Sequence, residues 1–182
     1  MFVLHALVTS ALHRSLSSAS LRTTATVMSV RPLLLGAGLL NAKGTPVPDA
    51  AAALSGKRVA LYFAAGWCPM CTAFEPALGR FRAAEGDIEL IMVSSDRSAS
   101  EAAARAAQLD AMMVPFGAAA DEFKRSLRVW SGSEVLKLGM GRRSGVPALV
   151  VLGPDGEEIG FVDAERRGEI ALRKWPEGGR WS

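Results

Sequence analysis

The amino-acid sequence predicts a three-layer α/β domain with a central mixed β-sheet flanked by helices. Two short apolar runs, 57–65 and 88–95, have the composition of buried strands, and each precedes a helical pattern. Further along, apolar runs at 148–152 and 157–163 flank Asp155-Gly156, a dipeptide that favours a type I′ hairpin turn. Strand–helix units give parallel strands and a hairpin gives antiparallel ones, so we expect a mixed sheet.

The helices follow from periodicity and from capping signals. After the first strand a helix begins at Cys68, with apolar residues at i, i+4 and i+7 (Phe74, Leu78 and Phe81). After the second strand, Ser98 and Glu101 form an S-x-x-E capping box ahead of an alanine-rich helix. Further helices are predicted over 120–127 and 165–174.

The N-terminal segment differs in composition from the rest of the chain. Residues 1–48 carry four basic and no acidic residues, and residues 1–30 are rich in Ser, Thr and Ala. Mitochondrial and plastid transit peptides have this composition, so residues 1–30 are predicted to be a targeting presequence, with a disordered extension of a cytoplasmic protein as the alternative. Residues 31–182 are predicted to form one domain.

Charge and hydropathy exclude two classes of partner. Outside residues 1–48 the chain has 21 − 4 = 17 basic and 18 acidic residues, so the basic balance gives no argument for nucleic-acid binding. The apolar runs are shorter than the roughly 18 residues that a membrane span needs. We therefore expect neither a nucleic acid nor a membrane as partner.

The only two cysteines of the chain, Cys68 and Cys71, are three residues apart, and three explanations compete. A structural zinc site needs four ligands, and the two histidines both lie within residues 1–30. An inert buried pair is the second explanation. The third is a redox pair: at a helix N-terminus, backbone N–H groups and the helix dipole favour a Cys68 thiolate, and Pro69 suits the first helical position. Cys71 then lies on the same face, within disulfide reach.

The segment "WCPMC" after a buried strand resembles the W-C-x-x-C site of the thioredoxin superfamily, and in particular its tryparedoxin and nucleoredoxin branch. The resemblance extends to "LLGAGLLNAKG", "LYFAAGWCPMC", "IMVSSD", "VPF", "GVPALVVL" and "KWP", and covers roughly residues 33–176. It implies a thioredoxin-like fold.

The resemblance also implies roles for individual residues. Cys68 corresponds to an exposed nucleophile and Cys71 to a more buried resolving thiol. Val146-Pro147 corresponds to the family's cis-proline loop, which faces the disulfide and pairs with the substrate chain. With the neighbouring residues Trp67 and Pro69, this loop forms the implied substrate-binding surface. Pro76 corresponds to the proline that kinks the active-site helix.

The sequence departs from this branch at several positions. Met70 replaces the second proline of the branch's W-C-P-P-C motif, and Tyr62 stands where thioredoxins proper carry a buried acid. The stretch 128–145 is longer than its counterpart and has no assigned role. Arg142 and Arg143 are interpreted as a solvated loop pair, with positive charge beside the Cys68 thiolate as the alternative.

The predicted function is that of an enzyme, a thiol-disulfide oxidoreductase that reduces protein disulfides in redox homeostasis. Its expected partners are disulfide-containing proteins, peroxiredoxin-type proteins among them, and a reductase or low-molecular-weight thiol as electron donor. The expected protein is a monomer without bound cofactor or metal, located in a mitochondrion or plastid. Two alternatives are an oxidase or isomerase of an oxidising compartment and a non-catalytic, redox-dependent binding module.

Overall fold

The computed structural model describes residues 29–182, so the predicted presequence lies outside the described residues except for Ser29 and Val30. These two residues contact the turn between the last two strands: Val30 N donates to Gly156 O at 2.9 Å, and Ser29 pairs with Glu157. Among residues 29–182, each helix is too short or too polar to cross a membrane.

A five-stranded mixed sheet forms the centre of the domain, in the order β3-β2-β1-β4-β5. β1 pairs in parallel with β2 and antiparallel with β4, which confirms the predicted mixed sheet. The central strand β1 is buried from Val59 to Ala64, and burial of a residue such as Phe63 contributes about 2–3 kcal/mol. The strands are β1 (Arg58–Ala64), β2 (Ile88–Ser94), β3 (Met112–Met113), β4 (Ala148–Leu152) and β5 (Glu158–Val162).

Helices cover both faces of this sheet, as predicted. The crossovers β1-α3-β2 and β2-α4-β3 proceed in the same direction, so their right-handedness places α3 and α4 on one face. The helices are α1 (Arg31–Gly36), α2 (Ala50–Leu54), α3 (Pro69–Glu85), α4 (Ala99–Gln108), α5 (Ala118–Leu127), α6 (Val135–Leu138) and α7 (Ala164–Arg167). Gly132–Glu134 and Gly168–Lys174 are 3-10 helices.

The predicted hairpin is present, but the predicted turn type is wrong. A type I′ turn needs positive φ at both central residues, and Gly156 has φ 74° whereas Asp155 does not have positive φ. Pro154 explains the difference, because its ring restricts φ to about −65°, which suits the second position of a type I turn. Gly156 N donates to Gly153 O at 3.0 Å, and the left-handed glycine then leads into β5.

Two helix predictions also need correction. At α4, Ser98 Oγ accepts from Glu101 N at 3.2 Å as predicted, but the Glu101 carboxylate accepts from Arg97 N rather than from Ser98 N. The predicted helix over 165–174 is a short α-helix followed by the 3-10 helix Gly168–Lys174. Gly168 lies between them with φ 56°, a left-handed conformation that ends the α-helix.

Candidate active site

The end of β1 and the start of α3 position the cysteine pair. β1 ends at Ala64, and Cys68 is the N-cap residue of α3 with extended backbone dihedrals. Pro69 occupies the first helical position, where its missing N–H costs no hydrogen bond. Cys71 N then donates to Cys68 Sγ at 3.3 Å, so the sulfur itself caps the helix. This arrangement places the Cys68 sulfur at the positive end of the helix dipole.

Both cysteines are free thiols, and both are buried. Cys71 is 0% exposed and Cys68 is 4% exposed, so the expectation of an exposed Cys68 is wrong, although Cys68 remains the more accessible of the two. The loop before β4 accounts for this burial, because the Val146 carbonyl accepts from Cys68 Sγ at 3.7 Å. The Val146-Pro147 peptide bond is cis, as the resemblance implies, and the contact with Cys68 places this loop beside the site.

Trp67 and Pro69 lie on the rim of the site and are both exposed, as is Met70. The Trp67 ring is held by its edge and by its face: Nε1 donates to Ser95 O at 2.9 Å, and the Arg97 guanidinium lies 5.7 Å from the ring centroid. A cleft of about 390 Å³ opens beside Trp67 towards α4. The rim therefore offers an ordered aromatic surface next to Cys68.

Two functional neighbours of Trp67 were not predicted from the sequence. Asp96 Oδ1 accepts from Gly66 N at 2.6 Å, and its Oδ2 accepts from Ser94 Oγ at 2.7 Å, which fixes the turn that presents Trp67. Ser95 supplies the carbonyl that holds the indole. A usable signal was present, because β1 and β2 are parallel and polar residues after β2 must lie beside the residues after β1.

The stretch 128–145, which had no assigned role, forms a closed excursion between α5 and β4. Its ends pair at Val129 and Ser144. At its tip Glu134 reaches the site: its Oε2 accepts from Ser95 Oγ at 2.7 Å and from Ser131 N at 2.9 Å. Burial opposes ionisation, but hydrogen bonds from Lys124 and Ser95 together hold the pKa of Glu134 below its usual value. The excursion is thereby anchored to the backbone that holds Trp67.

Arg142 and Arg143 are not the solvated pair that was predicted. Both Nη atoms of Arg143 donate to the Glu158 carboxylate at 2.8 Å, and Arg142 Nη2 lies 3.7 Å from Glu165. Because a carboxylate pairs with each of them, neither brings an uncompensated positive charge to the thiol. Glu165 also accepts from Gly145 N at 2.5 Å, which ties the loop before Val146 to α7.

On the interior side, Cys71 lies in a different environment. Burial raises the pKa of its thiol well above the ordinary value, and the hydrogen bond with Cys68 adds to the rise. One helical turn further, the half-buried Glu75 accepts from Tyr62 Oη at 3.3 Å and pairs with Arg105. Tyr62 and Phe74 pack with ring centroids 6.2 Å apart. Thioredoxins proper carry a buried acid at the position of Tyr62. In this chain the carboxylate of Glu75 lies beside Tyr62 instead.

Within residues 29–182, His, Cys, Asp and Glu side chains do not gather in groups of three or more that could hold a metal ion.

Comparison with known proteins agrees with this geometry. A family model described as thioredoxin-like matches residues 56–158. The chain is similar to probable nucleoredoxin 1 of Arabidopsis thaliana, at 34% identity over 58% of this chain and 17% of the relative. It is also similar to probable nucleoredoxin 2 of Oryza sativa subsp. japonica, at 36% identity over 72% of this chain and 30% of the relative. The chain therefore spans less than a third of the length of these curated relatives.

Solved structures with a similar fold include a thioredoxin and a tryparedoxin. Thioredoxin from Wuchereria bancrofti is 29% identical, with a TM-score of 0.56 over 79% of this chain and 90% of that chain. Native tryparedoxin I from Crithidia fasciculata is 24% identical, with a TM-score of 0.59 over 82% of this chain and 93% of that chain. The second likeness concerns the fold alone.

Proposed function

The chain belongs to the thioredoxin-like family, in its nucleoredoxin/tryparedoxin-like branch of oxidoreductases, and from this premise we propose that it reduces disulfide bonds in other proteins. One observation carries the proposal. Cys68 Sγ caps the N-terminus of α3 at the rim, whereas Cys71 lies one turn deeper and is sealed from solvent. An attacking thiol needs access and a stabilised thiolate, but a resolving thiol needs only to reach its partner sulfur.

In the proposed reaction, the Cys68 thiolate attacks one sulfur of the substrate disulfide, and the other substrate sulfur leaves as a thiolate. Cys71 then loses its proton and attacks Cys68 Sγ, which releases the second substrate sulfur and forms the Cys68–Cys71 disulfide. Two electrons pass from the cysteine pair to the substrate. A reductase or a low-molecular-weight thiol returns them, so the proposal needs no bound cofactor or metal.

The substrate is proposed to lie across the rim. An extended substrate segment pairs with the backbone of Val146, next to Pro147, and packs on Trp67 and Pro69. Disulfide-containing proteins, peroxiredoxin-type proteins among them, are the proposed substrates of a monomeric enzyme in redox homeostasis. The proposed location, a mitochondrion or plastid, rests on the composition of residues 1–30.

Insulin reduction with dithiothreitol as electron donor tests the proposed activity. We expect the wild-type protein to accelerate the reaction and the Cys68→Ser variant to fall to the rate of dithiothreitol alone, because it has no attacking thiol. Ala73→Ser, an exposed position on the same helix, is the matched control and should keep wild-type activity. Catalysis that survives in Cys68→Ser contradicts the proposal.

A trapping experiment distinguishes reduction from the two alternative functions. The Cys71→Ser variant should accumulate covalent mixed disulfides with its substrates, since resolution is blocked. Redox-sensitive but non-covalent capture indicates a binding module instead. A measured reduction potential of about −270 mV agrees with a reductant, and one of about −120 mV indicates an oxidase.

A further inference from the structure

The Glu75 carboxylate is largely buried and has no role in the reaction proposed above. Glu75 lies four residues after Cys71, so both side chains lie on the same face of α3. Oε1 accepts from Tyr62 Oη at 3.3 Å, and Oε2 pairs with Arg105 of α4. A carboxylate offers about four lone-pair positions, so these two partners leave acceptor capacity on both oxygens.

Cys71 needs such an acceptor because it must lose a proton before it can attack. Its side chain is fully buried, and burial raises the pKa of its thiol, so the thiolate does not form readily in the resting protein. Bulk water cannot take the proton directly from a fully buried sulfur. A base inside the domain must therefore accept it.

Glu75 is placed between this interior and the solvent. Glu75 forms part of the wall of an open cavity of about 370 Å³. The other polar and charged residues in its lining are Thr72, Arg82, Arg105 and Gln108. The Glu75 side chain itself is 10% exposed. A proton that reaches Glu75 can thus pass to water in the cavity without crossing the core.

Building on the proposed reductase function, we propose that Glu75 accepts the proton of Cys71 during the resolving step and releases it into this cavity. The Cys71 S–H bond breaks, its proton moves to Glu75 directly or through one water molecule, and the Cys71 electron pair attacks Cys68 Sγ. The Cys68–substrate bond breaks, and the substrate sulfur leaves with that bond's electron pair. Glu75 then returns to the carboxylate by losing its proton to solvent.

The groups that shift the pKa of Glu75 bear on this role. Burial raises the pKa of Glu75 above its usual value, and Asp96 adds to the rise. Arg105 and, more weakly, Tyr62 oppose it by hydrogen bonding to the carboxylate. A raised pKa makes a carboxylate a better proton acceptor near neutral pH, while the Arg105 pair keeps it ionised before the reaction.

Ellman's reagent, 5,5′-dithiobis(2-nitrobenzoic acid), allows the two steps to be timed separately. Reduced protein first forms the Cys68–thionitrobenzoate mixed disulfide, and Cys71 then releases the second thionitrobenzoate. We expect Glu75→Gln to leave the first phase unchanged and to slow the second by about 100-fold below pH 8, with the deficit shrinking as pH rises. Glu75→Asp, which keeps a carboxylate, should recover part of the rate.

If Glu75 instead acts on Cys71 only through its charge, Glu75→Gln should have the opposite effect on the rate of the second phase. The Glu75 charge contributes to the raised pKa of Cys71, so its removal would ease deprotonation and accelerate the second phase. A second phase that is unchanged or faster in Glu75→Gln therefore overturns the proposal. Glu89→Gln is the matched control, because Glu89 is similarly buried and ion-paired with Lys57 at the far end of β2. It should leave both phases unchanged.

Two further measurements separate this proposal from folding defects and from the reductase function. Thermal unfolding verifies that Glu75→Gln is folded; where it is not, the pH profile of Glu75→Asp and the second phase of the wild type in deuterium oxide take its place. A wild-type second phase as fast in deuterium oxide as in water overturns the proton transfer. Failure of the wild type to reduce insulin counts against the reductase function alone, because the Ellman assay does not depend on a protein substrate.

Discussion

The rim around Cys68 and the interior around Cys71 are one helical turn apart and differ in almost every property. On the rim, backbone groups and exposed side chains surround the sulfur: Cys71 N, the Val146 carbonyl and Trp67, which is 37% exposed. Of these groups, the Cys71 N–H can stabilise a thiolate, and the exposed Trp67 ring lies where the proposed substrate binds.

In the interior, buried side chains from several elements surround Cys71. Tyr62 from β1, Glu75 from α3 and Arg105 from α4 form one hydrogen-bonded group. Cys71 is sealed from solvent, whereas Glu75 lines a cavity. The two cysteines thus differ in their surroundings rather than in the C-x-x-C spacing that they share, and three experiments test this difference.

Thiol alkylation should show the largest difference between rim and interior. In the folded protein at pH 7, iodoacetamide should modify Cys71 in Cys68→Ser at least about 100-fold more slowly than Cys68 in Cys71→Ser. The reason is that Cys71 is fully buried and burial raises the pKa of its thiol. Rates are measured by mass spectrometry. In guanidinium chloride the two rates should converge. Equal rates in the folded state would contradict the difference between a reactive Cys68 and a sealed Cys71.

Substitution of the rim tryptophan should affect substrate binding more than folding. We expect Trp67→Ala to raise KM for a protein disulfide by about tenfold with kcat within about twofold, because exposed aromatic side chains dominate binding surfaces. Trp175→Ala is the matched control, since Trp175 packs on Phe81, further along α3, with ring centroids 5.1 Å apart. It should lower stability and leave KM unchanged. The reverse pattern would mean that Trp67 serves packing alone.

The sequence predicted the rim far better than the interior. The rim depends on consecutive residues, Trp67 to Cys71, whose capping and proline chemistry is local, and on Val146-Pro147, which the family resemblance supplied. The interior group joins Glu75 to residues of β1 and α4, and no local pattern links positions so far apart in the chain. Tertiary packing brings them together, so sequence reasoning could note the missing acid at Tyr62 but could not find its neighbour.

The excursion 128–145 shows the same division. Ser131 and Glu134 fit the S-x-x-E capping pattern, so the helical turn at its tip was open to prediction from sequence. The contact from Glu134 to Ser95 was not, because it joins this turn to the end of β2 across 39 residues. Local chemistry predicts where elements begin, whereas ion pairs and hydrogen bonds between elements depend on the completed fold.

The smallest of the three effects is an alkaline loss of stability that reports on the interior thiol. Cys71 has a higher pKa in the folded state than the roughly 8.5 of an unfolded cysteine, so folding favours its protonated form. Its contribution to stability is complete below the unfolded pKa and is lost as pH rises above it. Between about pH 8.5 and 9.5 the free energy of unfolding should fall by about 1 kcal/mol on account of Cys71.

Urea unfolding of the reduced protein at the two pH values measures this loss. In Cys71→Ala the fall in unfolding free energy should be smaller by the contribution of Cys71. In Cys68→Ala, which keeps Cys71, that contribution should remain. Burial also raises the pKa of Tyr62, so a Tyr62 contribution to stability is lost as pH rises through the unfolded tyrosine pKa of about 10. Both variants keep Tyr62, so the difference between them reports on Cys71 alone. If the loss follows Cys68 instead of Cys71, the thiol that folding holds protonated is on the rim, and the assignment of nucleophile and resolving thiol must be exchanged.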